Sequence, residues 1–338
     1  MQAIQVDQAG GPEVLRYREV PTPNPGPGMV RVKVHAAGVN HREIWVRQGT
    51  VGGASYPYIP GSDAAGEIDA LGDGVDGSLE AGLRVVINPG VFCGKCAACL
   101  AGDHPACAAY RLVEGTYAEH VIVPQSNVVP MPTGLTFAEA ASIGVPFVTA
   151  EAAWQAAGVL PGQTVVVFGA SGGLGTAAVQ LGKLRGARVI AVTRRSTKVE
   201  ALRKLHSDEV VVWDPARPLE GEIKDLTAGR GADVVLDSLG KASFGLSLTM
   251  VHRGGLVITV GATTGGQVDV NLAEIFRRRI SVIGAFMGSA AILPRILPLF
   301  ARGQLMPVID HVYPLEQADQ AHEQLERGDV VGKVVLEV

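Results

Sequence analysis

Aromatic residues are scarce: Phe, Trp and Tyr together make up 5% of the 338 residues. Charge is sparse as well, at 18%, against 47% hydrophobic residues. Disordered chains show the opposite balance, so the composition predicts a globular chain. No basic excess is present. The formal net charge of -4 gives no footing for nucleic acid or an anionic membrane surface. The opening residues, Met1-Gln2-Ala3-Ile4-Gln5-Val6-Asp7, carry neither a basic n-region nor an apolar h-region. No signal peptide is read there, and a cytoplasmic location is expected. The uncharged stretch 158–182 raises a membrane question, but Pro161 and a glycine cluster break it into a short strand and a loop.

Glycine, by contrast, is abundant, with 43 residues. They follow no three-residue period, which excludes collagen, and they match an α/β protein with many tight strand–helix turns. At about 100–200 residues per domain, the length predicts two domains.

The four cysteines all lie close together, at Cys93, Cys96, Cys99 and Cys107. A disulfide pairing would close strained short loops in a compartment expected to be reducing. Four thiolates at this spacing suit tetrahedral zinc and leave no position open for substrate, so a structural ion is expected in a lobe spanning about 90–110.

The run Gln163-Thr164-Val165-Val166-Val167-Phe168 reads as a strand. It is followed by Gly169-Ala170-Ser171-Gly172-Gly173-Leu174-Gly175 and then by a helix from Thr176 to Lys183. Strand, glycine turn and helix start form the context of a dinucleotide fingerprint, in which backbone approaches a pyrophosphate and the helix N-terminus receives its charge. The next strand, 188–192, leads into Thr193-Arg194-Arg195-Ser196-Thr197-Lys198. An NAD site usually has an acid here for the ribose 2′-hydroxyl. Thr193, Arg194, Arg195 and Lys198 instead suit a 2′-phosphate, so NADPH is expected over NADH; the plainer reading is a solvated charged face. Further strand-like runs at 209–213, 233–237, 255–261 and 280–286, with helices at 199–205 and 242–251 among them, complete a doubly wound parallel sheet over about 146–286. Residues 1–145 and 287–338 form the remainder, rich in short β-like runs at 30–36, 66–71, 84–87 and 118–123.

The chain resembles the medium-chain dehydrogenase/reductase superfamily over essentially its whole length. The residues carrying the resemblance are Gly10-Gly11-Pro12-Glu13-Val14-Leu15, Ala37-Gly38-Val39-Asn40, Pro60-Gly61-Ser62-Asp63-Ala64-Ala65-Gly66, the cysteine lobe, the glycine loop and Gly332-Lys333-Val334-Val335-Leu336. The resemblance implies a GroES-like β-barrel domain (1–145 and 287–338) joined to a Rossmann domain (146–286), with the active site in the cleft between them. It also implies a homodimer or homotetramer through the Rossmann sheet edge at 280–286.

Two branches of the superfamily differ at the active site. Where zinc alcohol dehydrogenases hold a catalytic zinc, this sequence has Asn40, Ser62 and about Val145. A rearranged metal site would have to use Glu43, Asp63 and His41. The quinone oxidoreductases are similar in Val39-Asn40, in Pro60-Gly61-Ser62-Asp63 and in the glycine loop, although they commonly lack the cysteine lobe. The resemblance therefore implies hydride transfer from NADPH to a quinone or an α,β-unsaturated carbonyl without a catalytic zinc. The alternatives are an alcohol dehydrogenase with one structural zinc, and a nucleotide-binding protein with little catalysis. Asn40 is the candidate donor to the carbonyl oxygen, or else a turn residue. Tyr56 and Tyr58 are candidate proton donors, or else packed aromatics. Motif matching implies cofactor contacts at Gly172, Gly173 and Leu174 (pyrophosphate), at Thr149, Gly261, Ala262, Thr263, Phe286, Met287 and Gly288 (nicotinamide), and at Lys333 (phosphates). The bland reading of Lys333 is a surface charge. Loops 47–58 and 263–268 are expected to shape the substrate pocket, and the scattered His206, His252, His311 and His322 are expected to be structural or exposed.

Overall fold

The computed structural model describes residues 1–51, 55–214 and 216–338; part of the 47–58 loop, residues 52–54, lies outside them. The chain divides into two compact units, Met1–Val148 with Gly288–Val338, and Thr149–Met287. Each is taken by itself.

The second unit is built on six parallel strands. In chain order these are Thr164–Val167, Arg188–Thr193, Glu209–Val212, Ala232–Asp237, Val251–Thr259 and Ser281–Gly284. Numbered one to six in that order, they stand 3-2-1-4-5-6 across the sheet, the Rossmann arrangement. Helices cover both faces of such a sheet, so its inner strands must be apolar on both sides. Accordingly Val165, Val166, Val167, Val189, Ile190, Ala191, Val235 and Leu236 are all fully buried. Because every strand points the same way, the loops following them gather along one edge of the sheet. The glycine loop, Thr193–Lys198, residues 238–240 and residues 261–263 are such loops.

The first unit holds a seven-stranded, mainly antiparallel sheet. Its organiser is Met29–Val39, an 11-residue strand in which inward Val30, Val32 and Val34 alternate with more exposed Arg31 and Lys33. One edge of this strand pairs with Asp63–Leu71. On the other, His120–Pro124 takes the first half and Lys333–Glu337 the second. The pairing with Lys333–Glu337 sets Val334 opposite Val39 and so brings the Gly332-Lys333 motif beside Asn40. Ile309–Pro314 extends the sheet in parallel next to Lys333–Glu337.

Candidate functional site

The cysteine lobe forms around the short helix Ala97–Leu100 and the turn His104–Ala106. Sulfur separations are 3.9 Å for Cys93–Cys99, 3.5 Å for Cys96–Cys99 and 3.6 Å for Cys107–Cys93. A tetrahedron of sulfurs at normal zinc–thiolate length has edges of about 3.8 Å, so the four thiols fit one zinc. No other group of three or more ligands among the described residues comes together as closely. The lobe also grips the segment where the chain re-enters this unit. The Ala290 N–H donates to His104 Nδ1 at 3.1 Å, Ser289 Oγ lies 3.1 Å from the same nitrogen, and Asn88 Nδ2 donates to Ala290 O at 2.9 Å.

In the second unit the glycine loop leads into the helix Gly173–Leu184, with Gly172 at its N-cap. Gly169 has φ +62°, and a Cβ on Gly175 would lie 2.2 Å from Gly169 O and 2.5 Å from the Ala170 Cα. Gly175 therefore lets the helix start close against the strand turn. A Cβ on Gly172 would meet nothing nearer than Gly169 O at 3.6 Å, so the chain itself leaves that side open. An open backbone at a helix N-terminus suits a pyrophosphate. At the end of the next strand Arg194 and Arg195 are exposed. The Arg194 guanidinium lies 5.6 Å from the Trp213 ring, whereas Thr193 and Lys198 are buried. Thr263 Oγ1 donates to Ser238 O at 3.3 Å, which holds Gly261-Ala262-Thr263 against the loop after the fourth strand. Thr149 Oγ1 donates to Met287 Sδ at 3.4 Å. Phe286 is exposed.

In the first unit a buried polar cluster assembles around Asn40. Asn40 stands at the N-cap of the helix His41–Arg47, and its backbone N–H donates to Glu43 Oε2 at 2.9 Å. Lys333 Nζ reaches three acceptors: Val39 O and Asn40 Oδ1, each at 2.6 Å, and Asp63 Oδ2 at 3.5 Å. Three acceptors match the three protons of an ammonium. Asn40 Nδ2 donates to Asp63 Oδ2 at 3.0 Å, and the Val145 N–H donates to Asp63 Oδ1 at 2.7 Å. Ser62 Oγ donates to Glu43 Oε1 at 2.7 Å. Asp63 has room because Gly144 lacks a side chain; a Cβ there would lie 2.3 Å from Asp63 Oδ1. Burial pushes the Asp63 and Glu43 carboxyls up and the Lys333 ammonium down, while the attraction among these groups opposes all three shifts. Burial and then Lys333 lower the His41 imidazole to about 4, so it is neutral near pH 7.

The two tyrosines lie together with ring centres 5.6 Å apart. Tyr56 is exposed. The buried Tyr58 hydroxyl has no hydrogen-bond partner among the described residues, and burial raises its pKa above the ordinary value. Lys333, matched by motif to a phosphate contact, is 5% exposed and has the three acceptors named above. Its reading as a surface charge is thereby corrected: a residue opening a strand pair at the sheet centre is covered on both sides.

A second buried chain was not legible in the sequence. Arg47 and His322, both fully buried, meet through Nη1 and Nδ1 at 3.3 Å; Arg47 Nη2 donates to Glu326 Oε1 at 2.6 Å, and His322 Nε2 lies 3.3 Å from the Tyr117 hydroxyl. Because Arg47 can only donate, His322 carries its proton on Nε2. The available signal was an arginine at an apolar position of a helix that also buries Ile44 and Val46.

An open glycine loop on a 3-2-1-4-5-6 sheet has the plan of a dinucleotide-binding unit. Residues 26–133 match the sequence model of the alcohol dehydrogenase GroES-like domain, and residues 173–302 match that of zinc-binding dehydrogenases. The chain is 32% identical over 349 residues to the quinone oxidoreductase of Rattus norvegicus, covering 99% of this chain and 97% of that protein. It is 32% identical over 351 residues to the NAD-dependent alcohol dehydrogenase of Sulfurisphaera tokodaii, covering 99% of each. A crystal structure of an NAD-dependent alcohol dehydrogenase superimposes with a TM-score of 0.96 at 40% identity, with all of both chains covered. The chain belongs to the medium-chain dehydrogenase/reductase superfamily and is an NAD(P)-dependent oxidoreductase with a GroES-like domain and a Rossmann domain.

Proposed function

We propose that the protein is an NADPH-dependent reductase of quinones and α,β-unsaturated carbonyls, with one structural zinc on Cys93, Cys96, Cys99 and Cys107 and no catalytic metal. The observation that carries this reading is the Asn40 cluster. Its side chains satisfy one another through an ammonium, two carboxylates and an amide, with no thiol in the set. A conjugated acceptor spreads incoming charge and needs less electrophilic help than a simple ketone. Bound NADPH supplies the hydride. Asn40 Nδ2 has a second N–H beyond the one given to Asp63, and this proton donates to the substrate oxygen as charge develops there. Tyr56 and Tyr58 are the candidate proton donors, although burial makes the Tyr58 hydroxyl hold its proton more tightly. Gly172, Gly173 and Leu174 receive the pyrophosphate; Thr149, Gly261, Ala262, Thr263, Phe286, Met287 and Gly288 line the nicotinamide. Thr193, Arg194, Arg195 and Lys198 face the 2′-phosphate, the two exposed arginines supplying most of the attraction. The active form is a homodimer or homotetramer paired through the exposed edge strand Ser281–Gly284.

The name of the 40% identical crystal structure favours a second reading, NAD-dependent oxidation of simple alcohols. Zinc analysis and a turnover panel separate the two. The proposal expects about one zinc per subunit, enone and quinone reduction with NADPH faster than with NADH, and negligible oxidation of plain alcohols. Two zinc ions per subunit with alcohol oxidation by NAD would replace it with the second reading. Cofactor binding without turnover of any acceptor would leave a nucleotide-binding protein.

A further inference from the structure

We infer that Lys333 is a positioning residue: its ammonium fixes which face of the Asn40 amide is presented to the substrate. The inference rests on the reading of Asn40 as the donor to the substrate oxygen. An asparagine side chain can turn end for end, exchanging donor for acceptor at little cost in shape. Here the choice is forced. Lys333 has only protons to give, so the atom 2.6 Å from its Nζ must be the amide oxygen. Asp63, accepting a backbone proton from Val145, holds the other end of the amide by taking one Nδ2 proton. With Oδ1 and one Nδ2 proton committed, the second Nδ2 proton is the group left for a ligand. Lys333 is itself held still by Val39 O, and it lies on a central strand of the sheet. With the ammonium gone only Asp63 would oppose a flip, and with both charges removed the amide would be free to turn its oxygen toward an incoming carbonyl, oxygen against oxygen.

This arrangement makes Lys333 act through Asn40 alone, and a double-mutant cycle reads that directly. Lys333→Met alone would bury an unpaired Asp63 carboxylate, so the cycle uses Lys333→Met with Asp63→Asn, which removes both charges together. Asp63→Asn keeps one oxygen for Asn40 Nδ2 but leaves the Val145 N–H without its acceptor, so the melting temperature of the pair is measured alongside. Lys333→Gln with Asp63→Asn serves as a rescue, because the glutamine amide restores a donor near Asn40 Oδ1 with the same charges removed. Steady-state reduction of a cyclic enone and direct NADPH titration are measured for each variant. Asn40→Ala is expected to lower kcat by about 100-fold, the usual size for loss of an oxyanion donor. The expected result for Lys333→Met/Asp63→Asn is a tenfold or larger fall in kcat with NADPH affinity within twofold, and no further fall when the pair is placed on Asn40→Ala. Lys333→Gln with Asp63→Asn should recover part of the loss. If the pair lowers kcat just as much on the Asn40→Ala background, or weakens NADPH binding while kcat stays intact, Lys333 does not act through Asn40 and the inference is overturned. If Asn40→Ala lowers kcat and the pair does not, only the inference falls. If Asn40→Ala leaves kcat unchanged, the reading of Asn40 itself is wrong and the inference goes with it.

Discussion

His322 shows what complete burial does to one ionisable side chain. Burial, reinforced by Arg47 and His41, lowers its pKa from 6.5 to about 3. The unfolded chain therefore takes up a proton on this ring as pH falls through 6.5, while the folded chain resists until about 3. Stability from the neutral ring is whole above pH 6.5 and declines below it, by about 1.4 kcal/mol per pH unit at full slope. His41, lowered to about 4, acts in the same direction. The unfolding free energy should fall between pH 6.5 and 4.5, and His322→Gln should flatten that fall by one proton. Denaturant titrations at a series of pH values measure both slopes; equal slopes in the two proteins would contradict the assignment. The sequence did not disclose this chain of groups, because a lone histidine among scattered histidines carries no spacing. Cys93 to Cys107 and the glycine loop were legible for the opposite reason: their chemistry is written in neighbouring residues. Lys333 and Asn40 sit between these cases. Both motifs were visible, but their hydrogen bond joins residues 293 apart, and only strand pairing brings them together.

At the scale of an element, the strand turn and helix Gly173–Leu184 make two glycines distinguishable. A methyl at Gly175 would strike backbone at 2.2 Å and 2.5 Å, so Gly175→Ala must push the helix off the turn. A methyl at Gly172 strikes nothing of the chain and obstructs only a ligand approaching the helix start. Gly175→Ala is expected to lower the melting temperature and cofactor affinity together. Gly172→Ala should keep the melting temperature within a degree or two and weaken NADPH binding tenfold or more; calorimetry with cofactor titration checks both. The strands themselves were legible because a sheet covered on both faces leaves uninterrupted apolar runs such as Val165-Val166-Val167. The fifth strand was the exception. The sequence reads 242–251 as helix and 255–261 as strand, yet Val251–Thr259 runs through Gly254-Gly255, with a register shift where it meets Ala232 and Val234. A slip in pairing absorbs what the local sequence signals as a stop.

At the scale of the whole molecule, the Rossmann sheet ends on an edge strand whose neighbourhood is apolar and exposed. Val282 is 43% exposed, and Leu272 and Phe276 on the preceding helix are 68% and 66% exposed. An exposed edge with large apolar side chains nearby invites pairing with another copy. Sedimentation should give a dimer or tetramer. Val282→Lys with Phe276→Glu should shift it to monomer while zinc content stays near one per subunit; unchanged mass would place the interface elsewhere. Among the described residues no helix is long and apolar enough to cross a membrane, so this apolar surface is not part of a helical span.

The Thr149–Met287 unit is an insertion whose two ends meet, since the Thr149 hydroxyl donates to the Met287 sulfur. This bears on how the chain folds. The bonds that hold Lys333 to Val39 and Asn40 close loops of 294 and 293 residues, and long closures are slow searches for an unfolded chain. Once the inserted unit has formed on its own core, its joined ends deliver residues 148 and 288 to one point, and the remaining closure is far shorter. Prior folding of the nucleotide-binding unit would therefore shorten the closure that the Asn40 site requires.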